Sequence, residues 1–391
     1  MISRHRMEIE GRTLLGALLQ GKKNSVESLT EAVREFFGVK EVLLTPSGRG
    51  GLYLLLKALK AKKVLIPAYT CRAVVEAAIL AGKEVRFVDI DIHTYNMNPD
   101  LIEEKADEDT VILATHQFGI PCEIEKIQDI AVKKGAIVLE DAAASFNAKF
   151  KGRKVGTFGK AAILSFEYTK PFTCGRGGAI LFNDLGLYDA LCNVFENEVK
   201  NARTQTLLKY IITTLAYLIL TRPGGYKLVH FFLMKRHGVT SDRGILNLKK
   251  NELYTETFSR FQAGVGLNQL KEIEAVLEKR KKIADLYLNE LSSIRSIELP
   301  RMPSYVEPSL MRFPIRIIRG DKHNFYWECV ENGLDLGFGY SYSCASGVGE
   351  RECPNSFLAA RQVLNLPFNS KLLPQEIGKI VSIVKSVSKD L

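Results

Sequence analysis

Lys170 stands between an apolar, strand-like run, Ala161 to Phe166, and a glycine-rich turn, Gly175-Arg176-Gly177-Gly178. About thirty residues earlier another apolar run ends at Asp141. An amine and a carboxylate at adjacent strand ends can hold one ring between them. Pyridoxal phosphate asks for such a pair: a lysine amine to form its Schiff base and an acid for its ring nitrogen. A lone lysine after a strand is more often a solvated surface charge. The Asp141 strand and a third element near Ser47 set Lys170 apart from that ordinary case.

The third element is Thr45-Pro46-Ser47-Gly48-Arg49-Gly50-Gly51, between a strand-like run and the helix-like LYLLLKALK. Small residues at a helix start expose backbone N–H groups to an anion, although the same residues also simply make a turn. Arg49 either adds a charge-assisted bond or is a solvated helix-start residue. Ser165 offers a hydroxyl to the same phosphate, or is an ordinary strand-end serine. Asp141 has its own alternative as the N-cap of the following turn. His116, at the end of VILATH, either touches substrate or cofactor or is a satisfied structural group.

The elements that must position these residues follow an alternating pattern. Strand-like runs cover 42–45, 63–67, 85–90, 111–116, 136–141, 161–166 and 179–183, and helix-like segments cover 48–60, 71–82, 98–105 and 123–134. Alternation of this kind argues for an α/β fold with a mainly parallel sheet flanked by helices. Ligands of such sheets collect at the carboxyl ends of strands, where Asp141 and Lys170 lie. A long amphipathic helix is expected from about 256 to 292. The tail adds a short strand in MRFPIRII and a final helix in PQEIGKIVSIVKSV. The expected division is a large cofactor-binding α/β domain over 1–255 and a long connecting helix with a small α+β domain over 256–391.

The 391 residues carry a formal charge of +10. Residues 200–250 hold ten of the Lys and Arg residues against a single acid, Asp242. The rest is nearly neutral, which argues against nucleic acid as a partner. The seven cysteines are scattered without CxxC spacing, as expected of free thiols in a reducing compartment and not of a zinc site. The opening MISRHRMEIEGR is too charged for a signal peptide, and no apolar run is long enough to span a bilayer. The expected location is therefore cytoplasmic.

Within the basic stretch, Leu207 to Leu220 is almost wholly apolar, and Pro223-Gly224-Gly225 separates it from a second apolar piece ending near residue 236. This length suits a buried or interfacial helix better than a span. Apolar surface flanked by bases suits peripheral contact of 206–236 with an anionic membrane face. A helical hairpin in the core or at a subunit interface is the alternative.

The chain resembles the DegT/DnrJ/EryC1/StrS aminotransferases, sugar-modifying enzymes of pyridoxal phosphate fold type I. The carriers are PSGRGGLYLLLKAL, VLIPAYTC, VRFVDIDIHTYNMNPDLIEE, HQFGIPCEIEKI, the block from IVLEDAAASF to FEYTKPFTCGRGGAILFND, and VLNLPFNSKLLPQEIGKIVSIV. The resemblance implies that Lys170 is the Schiff-base lysine, where dehydratase relatives carry histidine. It implies that Asp141 pairs with the pyridine nitrogen, and that Ser165, with the Ser47-Gly48-Arg49 turn, faces the cofactor phosphate. It further implies a homodimer that moves an amino group, taken from an amino acid such as glutamate, onto a nucleotide-linked keto sugar for cell-surface polysaccharide or glycoconjugate synthesis.

Three positions depart from the family pattern. Ala144 replaces a glutamine. Cys71 occupies the cofactor-side position where an aromatic ring commonly stacks, which leaves Tyr69 or Phe146 to substitute. Thr255-Glu256-Thr257-Phe258 replaces an Asn-Tyr-Arg-Met run whose asparagine reaches the neighbouring subunit. These departures keep two other readings open: a different pyridoxal phosphate reaction, such as elimination or dehydration, and a non-catalytic membrane-surface relative.

Overall fold

The computed structural model describes residues 1–19, 24–222, 225–227, 230 and 246–389. Among them, seven strands form the main sheet: β1 (Glu41–Thr45), β2 (Lys63–Pro67), β3 (Glu84–Val88), β4 (Thr110–Thr115), β5 (Ile137–Asp141), β8 (Ala161–Ser165) and β9 (Gly178–Phe182). The short pair β6 (Lys149–Phe150) and β7 (Arg153–Lys154) lies outside it, pairing with Val306–Glu307. The spatial order is β1-β9-β8-β5-β4-β2-β3. β3, β2, β4, β5 and β8 pair in parallel, while β9 runs antiparallel to both β8 and β1. Two antiparallel steps restore direction, so β1 runs with β8. The carboxyl ends of β1, β2, β4, β5 and β8 therefore share one edge.

These strands are apolar because both faces of the sheet are covered. Alternate residues serve opposite faces. Val64, Ile66, Leu139 and Ile163 join a core with α3 (Gly48–Ala58), α4 (Arg72–Leu80) and α6 (Leu185–Glu198). Leu65, Val138, Ala162 and Leu164 join the opposite core with α2 (Ser25–Phe37) and α5 (Ile124–Lys134). Complete burial of each Leu or Ile contributes about 1.5–3 kcal/mol. Before α2 comes α1 (Gly11–Leu19), and after α6 comes α7 (Thr204–Leu220).

The long helix Arg260–Leu291 links two cores. Ala263 and Ile273 pack beneath the main sheet, whereas Ile283, Tyr287 and Leu291 pack into a C-terminal cluster. That cluster surrounds an antiparallel sheet ordered Ile297–Glu298, Phe313–Ile317, Val363–Leu366 and Gly337–Phe338. Residue Ile2 also belongs to it, so the start of the chain packs with the end.

Two expected elements are corrected. Residues 98–105 make only a single 3-10 turn at Pro99–Leu101, because the Asn98 side chain caps the Asp100 N–H and few of the charged residues beyond it are buried. The long helix starts at Arg260 rather than 256. Residues 255 and 257 instead bond in extended fashion to Lys200, with N···O distances of 2.8 Å, and Ser259 and Gln262 close a capping box. Of the apolar stretch 206–236, α7 is described, and most of the second piece lies outside the described residues. Among the described residues no helix is long and apolar enough to cross a membrane.

Candidate active site

The shared strand edge gathers most of the candidate residues. Beyond β8, the chain from Phe166 to Gly177 folds back on itself. The Phe166 carbonyl accepts the Cys174 N–H at 3.1 Å and the Thr173 hydroxyl at 3.0 Å, and the Gly177 carbonyl accepts the Phe166 N–H at 2.9 Å. Gly177 sits at φ 116° under the Phe258 ring, which a Cβ would meet at 2.2 Å, so only glycine fits. Lys170 occupies the tip of this loop, where its N–H bonds the Glu167 carbonyl at 3.0 Å.

The Lys170 amine donates to the sulfur of Met311 at 3.0 Å, a weak acceptor, and no carboxylate lies within ion-pair distance of it among the described residues. Burial, joined by the positive charge of Arg312, lowers its pKa to about 8 against the opposing pull of Asp141, Cys71 and Glu167. An amine so placed is a free base more often than an ordinary lysine, as a carbonyl-condensing nucleophile needs. Asp141, buried at the end of β5, accepts the Ala143 N–H at 3.0 Å. Burial raises its pKa, while that N–H and the charges of Lys170 and His116 pull it back.

The structure uses His116 and Tyr69 differently. His116 is fully buried, with Nδ1 accepting the Cys122 N–H at 3.1 Å and Nε2 facing Glu140 at 3.1 Å. Glu140 also accepts the N–H groups of Gly156, Phe158 and Gly159 at 2.7 to 2.8 Å. Both ring nitrogens of His116 are taken by protein, so it supports the Asp141 strand from behind. Tyr69 is likewise fully buried, its ring against Tyr95, Phe118 and Tyr340 and its hydroxyl accepting the Tyr340 N–H at 3.3 Å. Phe146 stacks on Phe172 at 4.7 Å within the core. Neither ring is free to stack on a cofactor. Cys71 stays half-buried just before α4.

At the head of α3, Ser47 caps the helix. Its hydroxyl accepts the Gly50 N–H at 3.0 Å and donates to the Leu253 carbonyl at 2.6 Å, so the protein itself occupies it. A Cβ on Gly48 would come within 2.9 Å of the Ser165 Cβ, which brings the helix start directly against the end of β8. Arg49 lies 3.5 Å from Glu76 and remains 37% exposed, able to turn to another anion. The Tyr254 hydroxyl is buried beside Arg49, its pKa raised by burial and pulled back by that guanidinium. The helix start at Gly48 and Arg49, the Ser165 hydroxyl, the Arg49 guanidinium and the Tyr254 hydroxyl make a set that fits a phosphate.

Three further residues escaped the sequence reading. Arg312 brings a positive charge to Lys170 from the edge of the C-terminal sheet, and its buried Nε has no hydrogen-bond partner among the described residues. Tyr340 carries a half-buried ring into the neighbourhood of Cys71 and Asp141, which together with burial raise its pKa. Glu167 stands near Lys170, Arg176 and Arg49, with its pKa raised by burial. Arg312 and Tyr340 follow no motif and come from far along the chain, so only folding brings them here. Glu167 sits inside the motif, but nothing in the spacing marks a carboxylate three residues before a lysine as part of a site. An amine clear of ion pairs, a carboxyl at the next strand end and a phosphate-ready helix start fit pyridoxal phosphate.

Comparison with known proteins agrees with this geometry. The family model described as the DegT/DnrJ/EryC1/StrS aminotransferase family matches residues 12–385. The chain is similar to a UDP-4-amino-4,6-dideoxy-N-acetyl-beta-L-altrosamine transaminase of Campylobacter jejuni, at 26% identity over 78% of this chain and 71% of that protein. It is similar to a UDP-N-acetyl-3-dehydro-alpha-D-glucosamine 3-aminotransferase of Acidithiobacillus ferrooxidans, at 24% identity over 93% and 88%. Its fold matches the sugar aminotransferase CalS13 from Micromonospora echinospora with a TM-score of 0.76, at 20% identity over 99% of this chain and 100% of that one. The chain thus belongs to the DegT/DnrJ/EryC1/StrS aminotransferase family, and is a pyridoxal phosphate-dependent aminotransferase of fold type I.

Proposed function

We propose that this enzyme moves an amino group from an amino acid, glutamate in the first instance, to a keto sugar carried on a nucleotide, in the synthesis of a cell-surface polysaccharide or glycoconjugate. The observation that carries the reading is the Lys170 amine, clear of ion pairs among the described residues and lowered to a pKa of about 8, with Asp141 at the neighbouring strand end. The names of the similar proteins, which act on UDP-linked sugars, support the acceptor class.

When bound, pyridoxal phosphate supplies an aldehyde that condenses with amines and a ring that takes up electron density. Lys170 would hold it through Nζ. The Gly48–Arg49 helix start, Arg49 itself, Ser165 and Tyr254 would hold its phosphate. Asp141 would keep a proton on the ring nitrogen. With its amine free, Lys170 Nζ would take the proton from the donor's α-carbon and pass it on within the site, and in the second half of the cycle it would deliver a proton to the carbon of the acceptor that becomes aminated. Arg312, beside that amine, is suited to the donor's carboxylate.

Borohydride reduction of the protein loaded with pyridoxal phosphate, followed by peptide mapping, should find the pyridoxyl group on Lys170 and none in Lys170→Ala. Adding glutamate to the unreduced protein should convert the absorbance of the pyridoxal form to that of the pyridoxamine form. An adduct on another lysine would overturn the assignment of Lys170. A spectrum unmoved by any amino donor would overturn the transamination.

A further inference from the structure

The helix α7 packs Leu207, Ile211 and Leu218 inward and turns a second set of apolar side chains outward. Its fully buried positions are Thr206, Tyr210 and Thr214. The Tyr168 ring, two residues before Lys170, stacks on Tyr217 at 5.3 Å, and its hydroxyl meets that of Thr213 at 2.9 Å. Arg176 lies over the Tyr210 ring at 5.0 Å. Meanwhile Leu208 is 56% exposed, Ile212 57%, Leu215 40% and Ile219 61%. Their spacing of four, three and four residues sets them in one stripe, about 16 Å long at 1.5 Å per residue. Water does not favour such a stripe, so something apolar covers it.

The charges around the stripe identify the cover. Arg203 and Lys209 are 73% and 59% exposed, though paired with Glu256 and Glu252, and Arg222 and Lys227 are exposed just beyond the helix. At the carboxyl end of α7 a cavity of about 440 Å³ is lined by Arg6, Arg12, Arg222 and Lys371, with Leu218 on its wall; Arg6 pairs with Glu376 and Arg12 with Glu10 and Glu272, whereas Arg222 and Lys371 have no carboxylate partner among the described residues. A second copy meeting this face about a two-fold axis would set each cation-rich segment against itself. An anionic bilayer would take the stripe among its acyl chains and the cations among its headgroups.

We propose that the outer face of α7 docks this enzyme on an anionic phospholipid bilayer, with headgroup phosphates at the cation-lined cavity. The proposal does not rest on the reaction assigned to Lys170, because its readout is vesicle binding. Flotation with vesicles of phosphatidylcholine containing about one-third phosphatidylserine should carry the protein upward, whereas phosphatidylcholine alone should not, and added salt should weaken binding. The double substitution Ile212→Ser and Ile219→Ser should weaken partitioning at least about tenfold while far-ultraviolet dichroism stays unchanged. Arg222→Glu, which leaves the stripe intact, should weaken binding to the anionic vesicles only. Failure to float with anionic vesicles would overturn the proposal, as would a double variant that floats like the parent. Sedimentation analysis covers the remaining occupant: a parent dimer that the double variant splits, with no flotation, would assign the face to a second copy and overturn docking on lipid.

Discussion

Burial, helped by the positive charge of Arg312, makes Lys170 more reactive near neutral pH. With a pKa of about 8, roughly one Lys170 amine in ten is uncharged at pH 7, far more than for a free lysine. Capture of pyridoxal phosphate by the cofactor-free protein should therefore rise about tenfold per pH unit up to about 8 and level off above it. Arg312→Gln removes a positive neighbour that disfavours the ammonium form, so the midpoint should move to higher pH. Stopped-flow absorbance across pH measures this directly, and a midpoint that stays or falls would show that Arg312 does not tune the amine. At this scale the Lys170–Asp141 pair was legible because Asp141 closes one apolar run and Lys170 follows shortly after another. Arg312 and Tyr340 were not, because their nearest motif neighbours are distant in sequence and meet them only across the molecule.

At the scale of elements, the head of α3 and the root of α7 are tied to the same stretch of chain. Ser47 caps α3 and donates to Leu253. Glu256, in the segment that departs from the family pattern, is buried and accepts from Arg203 at 2.7 Å and Thr206 at 3.2 Å. Thr255, which stands at the position of the family's asparagine, donates its hydroxyl to the Asn251 carbonyl at 3.2 Å. Ser47→Ala removes the cap and leaves the Gly50 N–H unpaired. Its expected cost is about 1–2 kcal/mol, seen as a lower urea midpoint with an unchanged slope. Glu256→Gln should cost about as much, since Arg203 and Thr206 lose a charged acceptor, and proteolysis near α7 should quicken while the strands keep their protection from hydrogen exchange. Strands were the most legible elements, since burial on both faces leaves unbroken apolar runs. The start of the long helix was less so: residues 256–258 carry no signal that separates a helical turn from the extended pairing with Lys200 that they adopt.

For the whole molecule, the start of the chain is part of the support for the site. Arg280 on the long helix pairs with Glu8 at 2.6 Å, both almost fully buried, and donates to the carbonyls of Leu310, Met311 and Phe368 at 3.0, 2.8 and 3.2 Å. Arg280 thereby holds the backbone of Met311, whose sulfur meets the Lys170 amine, and precedes Arg312 in the same strand approach. Replacing Glu8 with Gln leaves a buried guanidinium short of its counter-charge, for an expected loss of about 3–5 kcal/mol in a denaturant titration. Taken alone, the order of residues determined the α/β class, the shared strand edge and the amine–carboxylate pair, because period and punctuation are local properties. Tertiary structure alone decided that His116 and Tyr69 serve the interior, that Arg312 faces Lys170, and that α7 shows Leu and Ile to the outside. Burial, unlike helical propensity, depends on what lies opposite in space, and residues adjacent along the chain do not record it.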